Sequence, residues 1–222
     1  MRLPAQVARH ARVARVVPGE LVEVLDLGGT VAVAQFLRWE RDGSCEVEVN
    51  ALLRERGEPP APLALALAVL HTHAFDWAVE KATELGVTRI QPLLTARVQG
   101  RDHGRRVSRW QRVAEAAVAQ CGRSRVPEVL PPRPLSEALG TLQGLLVVAD
   151  FEGGGLEAWP GIPSEGVAVF VGPEGGFTGQ ERQALAEAGA LGLYLGPRTL
   201  RAETAAVAAL ALVQAKAWWW TK

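Results

Sequence analysis

The sequence predicts an α/β protein with two domains: a small β domain with its linker over residues 1–62, and a larger domain over residues 63–222 built on a parallel sheet. Three observations lead to this prediction. Short alternating runs separated by turn residues occupy the first part of the chain, and a proline-rich segment, 57–62, follows them. From residue 63 onward, apolar runs alternate with segments of helical spacing, which is typical of a parallel sheet covered on both faces.

The first domain shows the two-residue period of strands that bury one face. Val31, Val33 and Leu37 alternate with small or polar neighbours, and residues 46–49 alternate strictly between glutamate and valine. Asp42-Gly43 separates the two runs and is a common turn dipeptide. Residues 1–56 are therefore predicted to form short strands of a small β-barrel or compact sheet.

The second domain alternates strand candidates with helix candidates. In the helical segments, apolar residues recur every three or four positions, as on the buried face of a helix. The predicted strands are 63–70, 89–94, 145–149, 167–171 and 191–195, and the predicted helices are 75–85, 107–118 and 203–218, with a further helix beginning after Thr178. This order predicts an open parallel sheet.

Composition excludes several classes of protein. The 222 residues carry 24 basic and 24 acidic side chains, and this zero net charge excludes a histone-like binder or a strongly charged tail. No apolar run reaches the roughly 18–20 residues that span a bilayer, and the first residues lack the apolar core of a signal peptide. Two cysteines are too few for a disulfide scaffold. We expect a cytoplasmic protein with no membrane segment.

The zero net charge conceals two basic segments. Residues 1–19 carry four arginines and no acidic residue, and residues 97–125 carry eight arginines against two acidic residues. Arginine binds phosphate in a bidentate manner and stacks on bases, so both segments are candidates for RNA binding; solvated helix faces are the alternative. The candidate RNA-binding residues are Arg9, Arg12, Arg15, Arg101, Arg105, Arg106, Arg109, Arg123 and Arg125.

A glycine-rich loop follows the strand predicted over residues 167–171. It reads Gly-Pro-Glu-Gly-Gly over residues 172–176, and Thr178 with Glu181 then forms a capping-box pattern that starts a helix. In an open parallel sheet, ligands bind beyond the carboxyl ends of the strands, and glycines allow backbone amides to approach a ligand closely. An ordinary tight turn is the alternative. The loop lacks the lysine of a nucleoside-triphosphate-binding loop.

A second Gly-Pro loop follows the strand predicted over residues 191–195. Residues 195–204 read Leu-Gly-Pro-Arg-Thr-Leu-Arg-Ala-Glu-Thr, and Arg201 and Glu203 lie at the start of an apolar helix. Charged residues at the start of a buried helix indicate a functional site. The alternative is that Glu203 or Thr204 only caps the helix.

Three other patterns are weaker. Residues 153–158 fit the GxGxxA fingerprint of dinucleotide binding, but nearby prolines prevent the helix that this fingerprint requires. His71 and His73 have no third ligand at a metal-binding spacing, so no metal site is predicted. Three tryptophans at 218–220 form an apolar surface that we expect to pack either on the rest of the chain or on a second subunit.

Four segments make the sequence similar to a known family: residues 80–87, 120–127, 171–177 and 195–204. In order and spacing they closely resemble the RsmE family of 16S rRNA uridine-N3 methyltransferases, which are SPOUT, or trefoil-knotted, methyltransferases. The resemblance covers about residues 70–210, and residues 13–20 more weakly resemble the PUA-like RNA-binding domain of that family. The chain departs from the family at residues 70–75, where Leu-His-Thr-His-Ala-Phe replaces a Lys-Gly run with charged residues.

The resemblance implies a PUA-like β-barrel followed by a SPOUT domain with a deep knot, an obligate homodimer, and S-adenosyl-L-methionine as methyl donor. The apolar run 205–212 and the three tryptophans that follow it predict that the dimer contact includes the C-terminal helix. It also implies 16S rRNA in the small ribosomal subunit as substrate, with Arg123 and Arg125 nearer the methyl donor than the other arginines. The cofactor-binding residues that it implies are Gly172, Pro173, Glu174, Gly175, Gly176, Leu195, Gly196, Leu200 and Arg201. The loop after residues 145–149 would form a third wall.

The chemistry of uridine methylation suggests roles for two charged residues. Uridine N3 carries a proton at neutral pH, so a cation must stabilise the uracil anion or a base must accept the proton. We predict that Arg201 stabilises the anion or binds phosphate, and that Glu203 positions the loop or, less plausibly, acts as the base. A non-catalytic RNA-binding module of the same fold and a dinucleotide-dependent oxidoreductase are the alternative functions.

Overall fold

A computed structural model describes residues 1–98, 106–155, 159 and 161–216. The elements, in chain order, are β1 (Arg2–Leu3), α1 (Ala5–Val13), β2 (Leu21–Leu25), β3 (Thr30–Trp39), β4 (Cys45–Arg54), β5 (Leu63–Ala68), α2 (Thr72–Glu84), β6 (Arg89–Leu94), α3 (Val107–Cys121), β7 (Glu128–Val129), β8 (Arg133–Pro134), α4 (Leu135–Leu139), β9 (Leu145–Gly154), β10 (Val167–Val171), α5 (Gly179–Glu187), β11 (Leu191–Leu193) and α6 (Ala202–Gln214). They form two compact units: residues 1–58 with 122–125, and residues 59–121 with 126–222.

The first unit contains a four-stranded antiparallel sheet in the order β1-β4-β3-β2. The pairing of β3 with β4 has two register shifts, one between Val33 and Ala34 and one between Phe36 and Arg38. Phe36 is fully buried whereas Leu37, which the alternation had suggested as apolar and inward, is 38% exposed. Ala34 and Phe36 are the inward residues at this end of β3, and Leu37 is the residue left unpaired at the second register shift.

Helix α1 was not predicted, because residues 1–56 were expected to form strands only. It begins after Pro4, and Ala8 is its one buried residue. Proline is tolerated at the start of a helix, where its missing N–H would have no intrahelical partner. A helix that packs through one small side chain leaves a weak apolar period in the sequence, so the pattern did not reveal it.

The second unit contains a seven-stranded sheet in the order β11-β9-β10-β5-β6-β7, with β8 also pairing with β6, and its described pairings are parallel. Alternate residues of β5 and β10 face opposite cores. Helices α2, α3 and α6 pack on one face, and α4 and α5 pack on the other. The continuous apolar runs of the sequence therefore correspond to strands buried on both faces.

The predicted fold class, a mixed α/β protein with a curled antiparallel sheet and a parallel sheet, is confirmed. Strand boundaries differ in detail: β5 ends at Ala68, β9 continues to Gly154, and β11 ends at Leu193. Helix α6 ends at Gln214, and the predicted continuation to residue 218 and the three tryptophans lie outside the described residues. The knot and the PUA-like character of the first unit stay predictions.

Candidate active site

The order of strands in the parallel sheet places a crevice between β5 and β10. These strands are neighbours, yet α2, which follows β5, and α5, which follows β10, pack on opposite faces of the sheet. The loops that leave the two carboxyl ends therefore diverge, and such a switch point is where open α/β sheets bind ligands. His71 follows β5 at this crevice, and the glycine-rich loop 172–176 follows β10.

Loop 172–176 is a tight turn that folds back on itself. The Gly176 N–H donates to the Pro173 carbonyl at 2.7 Å. A Cβ added at Gly172 would lie 3.0 Å from the Phe177 backbone nitrogen. Gly172 is therefore required by the turn itself, so a bulky substitution there would distort the loop as well as any ligand site. The Arg97 guanidinium donates to the Gly175 carbonyl and supports the outer side of the loop.

The capping box predicted at the start of α5 is confirmed. The Thr178 hydroxyl accepts from the Glu181 N–H, and the Glu181 carboxylate accepts from the Thr178 N–H at 2.8 Å and from the Ala96 N–H at 2.8 Å. Burial raises the pKa of Glu181, but the two backbone N–H groups, the Thr178 hydroxyl and Arg97 outweigh it, so its pKa lies below the ordinary 4.5. One carboxylate thus joins the start of α5 to the segment after β6.

Loop 195–200 forms one wall of a cavity that β9 also lines, through Ala149 and Asp150. Its lining residues are Ala149, Asp150, Leu195, Gly196, Arg198, Leu200 and Ala205. Gly196 has φ +101°, which L side chains rarely adopt, and no described atom lies within 4 Å of the position that its Cβ would take. The backbone at Gly196 therefore borders open space that a side chain would fill. We call this space the apolar cavity.

A second cavity is lined by other residues of the segment 200–205, and we call it the polar cavity. Its lining residues are His71, His73, Ala74, Trp77, Glu174, Arg201, Glu203 and Thr204. Arg201 is exposed at the N-cap of α6, and Glu203 lies in the first turn of that helix. A carboxylate in the first turn of a helix is stabilised by the helix dipole, which gives Glu203 a structural role as well.

A third cavity, the arginine cavity, continues along the crevice. Its lining residues are Val69, Leu70, His71, Thr72, Arg97, Val98, Arg106, Pro173 and Glu174. Arg97 and Arg106 bring positive charge to the cavity, which suits it to a phosphate group. Among the described residues, His71 and Glu174 are the two that line both this cavity and the polar cavity.

The predicted cofactor residues are thus divided between cavities. Leu195, Gly196 and Leu200 line the apolar cavity, while Glu174 and Arg201 line the polar cavity. Pro173 is buried and borders the arginine cavity, and Gly172, Gly175 and Gly176 form the turn beside it. Asp150 belongs to the segment after residues 145–149 that the resemblance implied as a third wall, although the structure places it within β9. Arg97 was not among the predicted cofactor residues. Its position three residues after the end of β6 was the available signal, since loops at the carboxyl ends of parallel strands build such sites.

The predicted RNA-binding arginines of the first unit differ in their surroundings. Arg9, Arg12 and Arg15 are exposed, and the Arg12 guanidinium lies 4.8 Å from the centre of the Trp39 ring. Arg125 is half-exposed and pairs with Glu55 at 2.5 Å. Glu55 and, to a smaller extent, Glu58 and Asp26 raise the pKa of Arg125. These four side chains are accessible to RNA.

Arg123 differs from the other candidate RNA-binding residues. It is 3% exposed and pairs with Glu58, itself 6% exposed, at 2.6 Å. Its guanidinium is therefore committed to the interior of the first unit and is not presented to a phosphate, which corrects the expectation of a surface cation. The prediction relied on residue type alone, and the sequence does not show which arginine of a basic segment is buried.

In the second unit, Arg106 borders the arginine cavity, and Arg109 of α3 pairs with Asp76 of α2 at 2.5 Å. Arg109 therefore joins two helices. Arg101 and Arg105 lie outside the described residues.

The weaker patterns also have structural outcomes. Gly153 and Gly154 lie within β9, so the extended strand, and not the turn that dinucleotide binding needs, occupies the start of the GxGxxA match. Within the described ranges, no three His, Cys, Asp or Glu side chains are grouped so as to hold a metal ion. No helix in the described part of the chain is both long and apolar enough to cross a membrane.

Comparison with known proteins agrees with the fold. The model of the RNA methyltransferase domain matches residues 57–214, which contain the parallel sheet and all three cavities. The class of protein is thus an RNA methyltransferase. The ribosomal RNA small subunit methyltransferase E of Synechocystis is 32% identical, covering 95% of this chain and 71% of the relative. The ribosomal RNA small subunit methyltransferase E of Aquifex aeolicus is 29% identical, covering 92% of this chain and 90% of the relative.

A solved structure extends the similarity to the tertiary level. The crystal structure of the ribosomal RNA small subunit methyltransferase E from Neisseria gonorrhoeae, bound to S-adenosyl methionine, is 34% identical, with a TM-score of 0.86 and coverage of 97% of this chain and 91% of that one. The chain belongs to the ribosomal RNA small subunit methyltransferase E family, and the resemblance to the RsmE family is confirmed.

Proposed function

We propose that this protein transfers a methyl group from S-adenosylmethionine to N3 of a uridine in 16S rRNA, within the assembled small subunit in the cytoplasm. The observation that carries the proposal is the segment 200–205, whose residues line both cavities: Leu200 and Ala205 line the apolar cavity, and Arg201, Glu203 and Thr204 line the polar cavity. A methyl donor and an acceptor base held in these two cavities would both lie beside this short segment. Family membership supports methyl transfer to RNA.

The apolar cavity fits a methyl donor of this kind. Ala149, Leu195 and Leu200 offer apolar walls to an adenine ring, and the Asp150 carboxylate can accept hydrogen bonds from ribose hydroxyls or an amino group. The open space at Gly196 allows backbone amides and carbonyls to contact the ligand directly. When bound, S-adenosylmethionine supplies a methyl group already activated by a sulfonium.

The polar cavity then receives the target base. Arg201 is a permanent cation on its wall, and it would stabilise the negative charge that develops on the uracil oxygens when N3 loses its proton. Glu203 would hold the start of α6, and with it Arg201, in position. These two residues are therefore proposed as the catalytic pair, Arg201 acting on the substrate and Glu203 acting through Arg201.

We also infer a homodimer that includes α6. Ala206, Ala209 and Leu210 of this helix are buried in their own unit, whereas Val207, Ala208 and Ala211 form a partly exposed stripe on the opposite side. Helix α2 contacts α6. Its residue Trp77 is 41% exposed. A second copy covering this face would remove an unusually apolar surface from water.

The test combines ligand binding with product analysis. Thermal unfolding with S-adenosylhomocysteine is expected to show stabilisation of about 2.7 kcal/mol at 100 times the dissociation constant, whereas NAD is expected to have no effect. Incubation with S-adenosylmethionine and small subunits that lack the modification is expected to yield N3-methyluridine by nucleoside mass spectrometry, with much less product on naked 16S rRNA. Cofactor binding without any methylated product would favour a non-catalytic RNA-binding module, and stabilisation by NAD alone would favour an oxidoreductase.

A further inference from the structure

The polar cavity contains a pair of imidazoles that the proposed function has not yet used. His71 is the N-cap residue of α2 and lies three residues after Ala68, the last residue of β5, and His73 lies in the first turn of the same helix. Both are exposed, and both line the cavity that holds Arg201. His71 also borders the arginine cavity, so it lies where the two spaces join.

Methylation at uridine N3 needs a proton acceptor in this space, an argument that rests on the proposed function. The side chains of the polar cavity that could accept a proton are the carboxylates of Glu174 and Glu203 and the two imidazoles. Ordinary carboxylates titrate near 4.3 and imidazoles near 6.5. Since a general base is most effective when its pKa is close to the working pH, an imidazole suits this task better than a carboxylate.

The charged groups around His71 come from several elements. Arg97 and Arg106 border the arginine cavity with it, Arg201 and Glu203 border the polar cavity from the start of α6, and Glu174 of the loop after β10 borders both. His73 is the titratable neighbour on the same helix. A base placed among these groups would have Arg201 nearby to stabilise the uracil anion. It would also have Arg97 and Arg106 nearby to bind the phosphates of the RNA backbone.

We propose that His71 is the general base that removes the N3 proton of the target uridine. The N3–H bond breaks, and its proton moves to the neutral imidazole of His71. The N3 electron pair forms the bond to the methyl carbon, while the carbon–sulfur bond of the donor breaks and its electron pair stays on sulfur. The His71 imidazolium then releases the proton to solvent. His71 is chosen over His73 because it alone of the two lies at the junction with the arginine cavity, at the carboxyl end of β5.

The experiment compares His71→Gln with His73→Gln in the full-length protein. Single-turnover methyl transfer to small subunits is measured from pH 5.5 to pH 9, together with the dissociation constants of S-adenosylhomocysteine and of RNA. For His71→Gln we expect a loss of about 10²–10⁴-fold in the transfer rate. The plot of transfer rate against pH is expected no longer to level off above neutral pH. Both dissociation constants are expected to stay unchanged within twofold. His73→Gln is expected to retain the levelled profile. Added imidazole is expected to restore part of the rate of His71→Ala.

Each outcome decides between explanations. A His71→Gln enzyme that keeps the wild-type rate and pH profile, or that loses only RNA affinity, would overturn the role as base while leaving the proposed function intact. Loss of the levelled profile in His73→Gln but not in His71→Gln would transfer the role to His73 and refute the proposal. Absence of methyl transfer by the wild-type protein would reject the proposed function, and the role of His71 with it.

Discussion

At the scale of single residues, burial decides what an arginine does. The Arg123 guanidinium and the Glu58 carboxylate are almost wholly buried, and the same carboxylate accepts from the backbone N–H of Ser124 at 3.0 Å and of Arg125 at 2.9 Å. Glu58 thus holds residues 122–125 within the first unit. The neighbouring pair of Arg125 and Glu55 has the same chemistry, but each side chain is about half-exposed.

We expect Glu58→Ala to destabilise the protein by about 3–5 kcal/mol, because it removes the buried carboxylate that pairs with the buried Arg123 guanidinium. The measurement is urea unfolding at pH 7. Glu55→Ala is the matched control and is expected to cost much less, since water and salt screen an exposed pair. Equal losses in the two variants would contradict the structural role of Glu58.

The apolar cavity can be tested with a substitution that fills it. Ala205 lines the cavity from α6, so Ala205→Trp is expected to weaken S-adenosylhomocysteine binding at least tenfold, about 1.4 kcal/mol, with little change in fold. Ala116→Trp, on the exposed side of α3, is the control. Titration calorimetry measures both. A substitution at Gly196 would be less informative because its φ of +101° strains any side chain. Unchanged affinity in Ala205→Trp would place the cofactor elsewhere.

At the scale of elements, the start of α5 depends on one carboxylate. Glu181 completes the capping box and also binds the Ala96 N–H. We expect Glu181→Ala to destabilise the protein by about 1 kcal/mol at pH 7, a typical cost for a lost cap. Glu187→Ala, at the other end of α5, removes the same charge without removing a backbone partner and is expected to have a smaller effect.

The effect of Glu181 is also expected to depend on pH. Its pKa in the folded protein is lowered from 4.5, so the folded state binds this proton more weakly than the unfolded state. The stabilisation is therefore fully present above the ordinary pKa and is lost as the pH falls through the folded value. Urea unfolding of the wild type and Glu181→Ala should converge in acid. A constant difference from pH 7 to pH 3 would show that the carboxylate charge does not contribute.

At the scale of the whole molecule, the outer stripe of α6 tests the proposed dimer. Ala208→Glu keeps a good helix former in place but puts a charge on the partly exposed stripe. Sedimentation equilibrium at micromolar concentration is expected to show twice the 23.8 kDa chain mass for the wild type and a monomer for Ala208→Glu. Ala116→Glu on α3 is expected to remain dimeric. A monomeric wild-type protein would refute the proposal.

The exposed arginines of the first unit test how RNA is recruited. Arg9, Arg12 and Arg15 lie in a segment with no acidic residue, which lets a protein of zero net charge attract phosphate locally. Their combined change to alanine is expected to weaken RNA binding regardless of sequence, and to flatten the log–log salt dependence by about one unit per lost contact. S-adenosylhomocysteine affinity should not change. Filter binding across a salt series measures the effect, with Arg41, Arg54 and Arg182 changed together as the control. Equal effects of the two triple variants would mean that the segment is only solvated surface.

Local patterns predicted much of the fold and part of the site. The strand–loop–helix segments at 167–181 and 191–204 were predicted because buried strands, glycines and caps each depend on residues close in sequence. Helix α1 was missed because only Ala8 is buried on it. Arg97 was missed because no short motif distinguishes it from the other arginines of residues 97–125.

The sequence by itself determined the α/β class, most strand positions and the family, since these follow from periodicity and short motifs. It also showed that a part with strand periodicity is followed by a part in which strands alternate with helices. The tertiary structure alone decided which loops share a cavity, because the neighbours β5 and β10 are separated by about a hundred residues and their pairing leaves no local mark. It also separated the exposed Arg12 from the buried Arg123. The reason is the same in both cases: burial and proximity depend on contacts between distant parts of the chain, whereas periodicity reports only on neighbours in sequence.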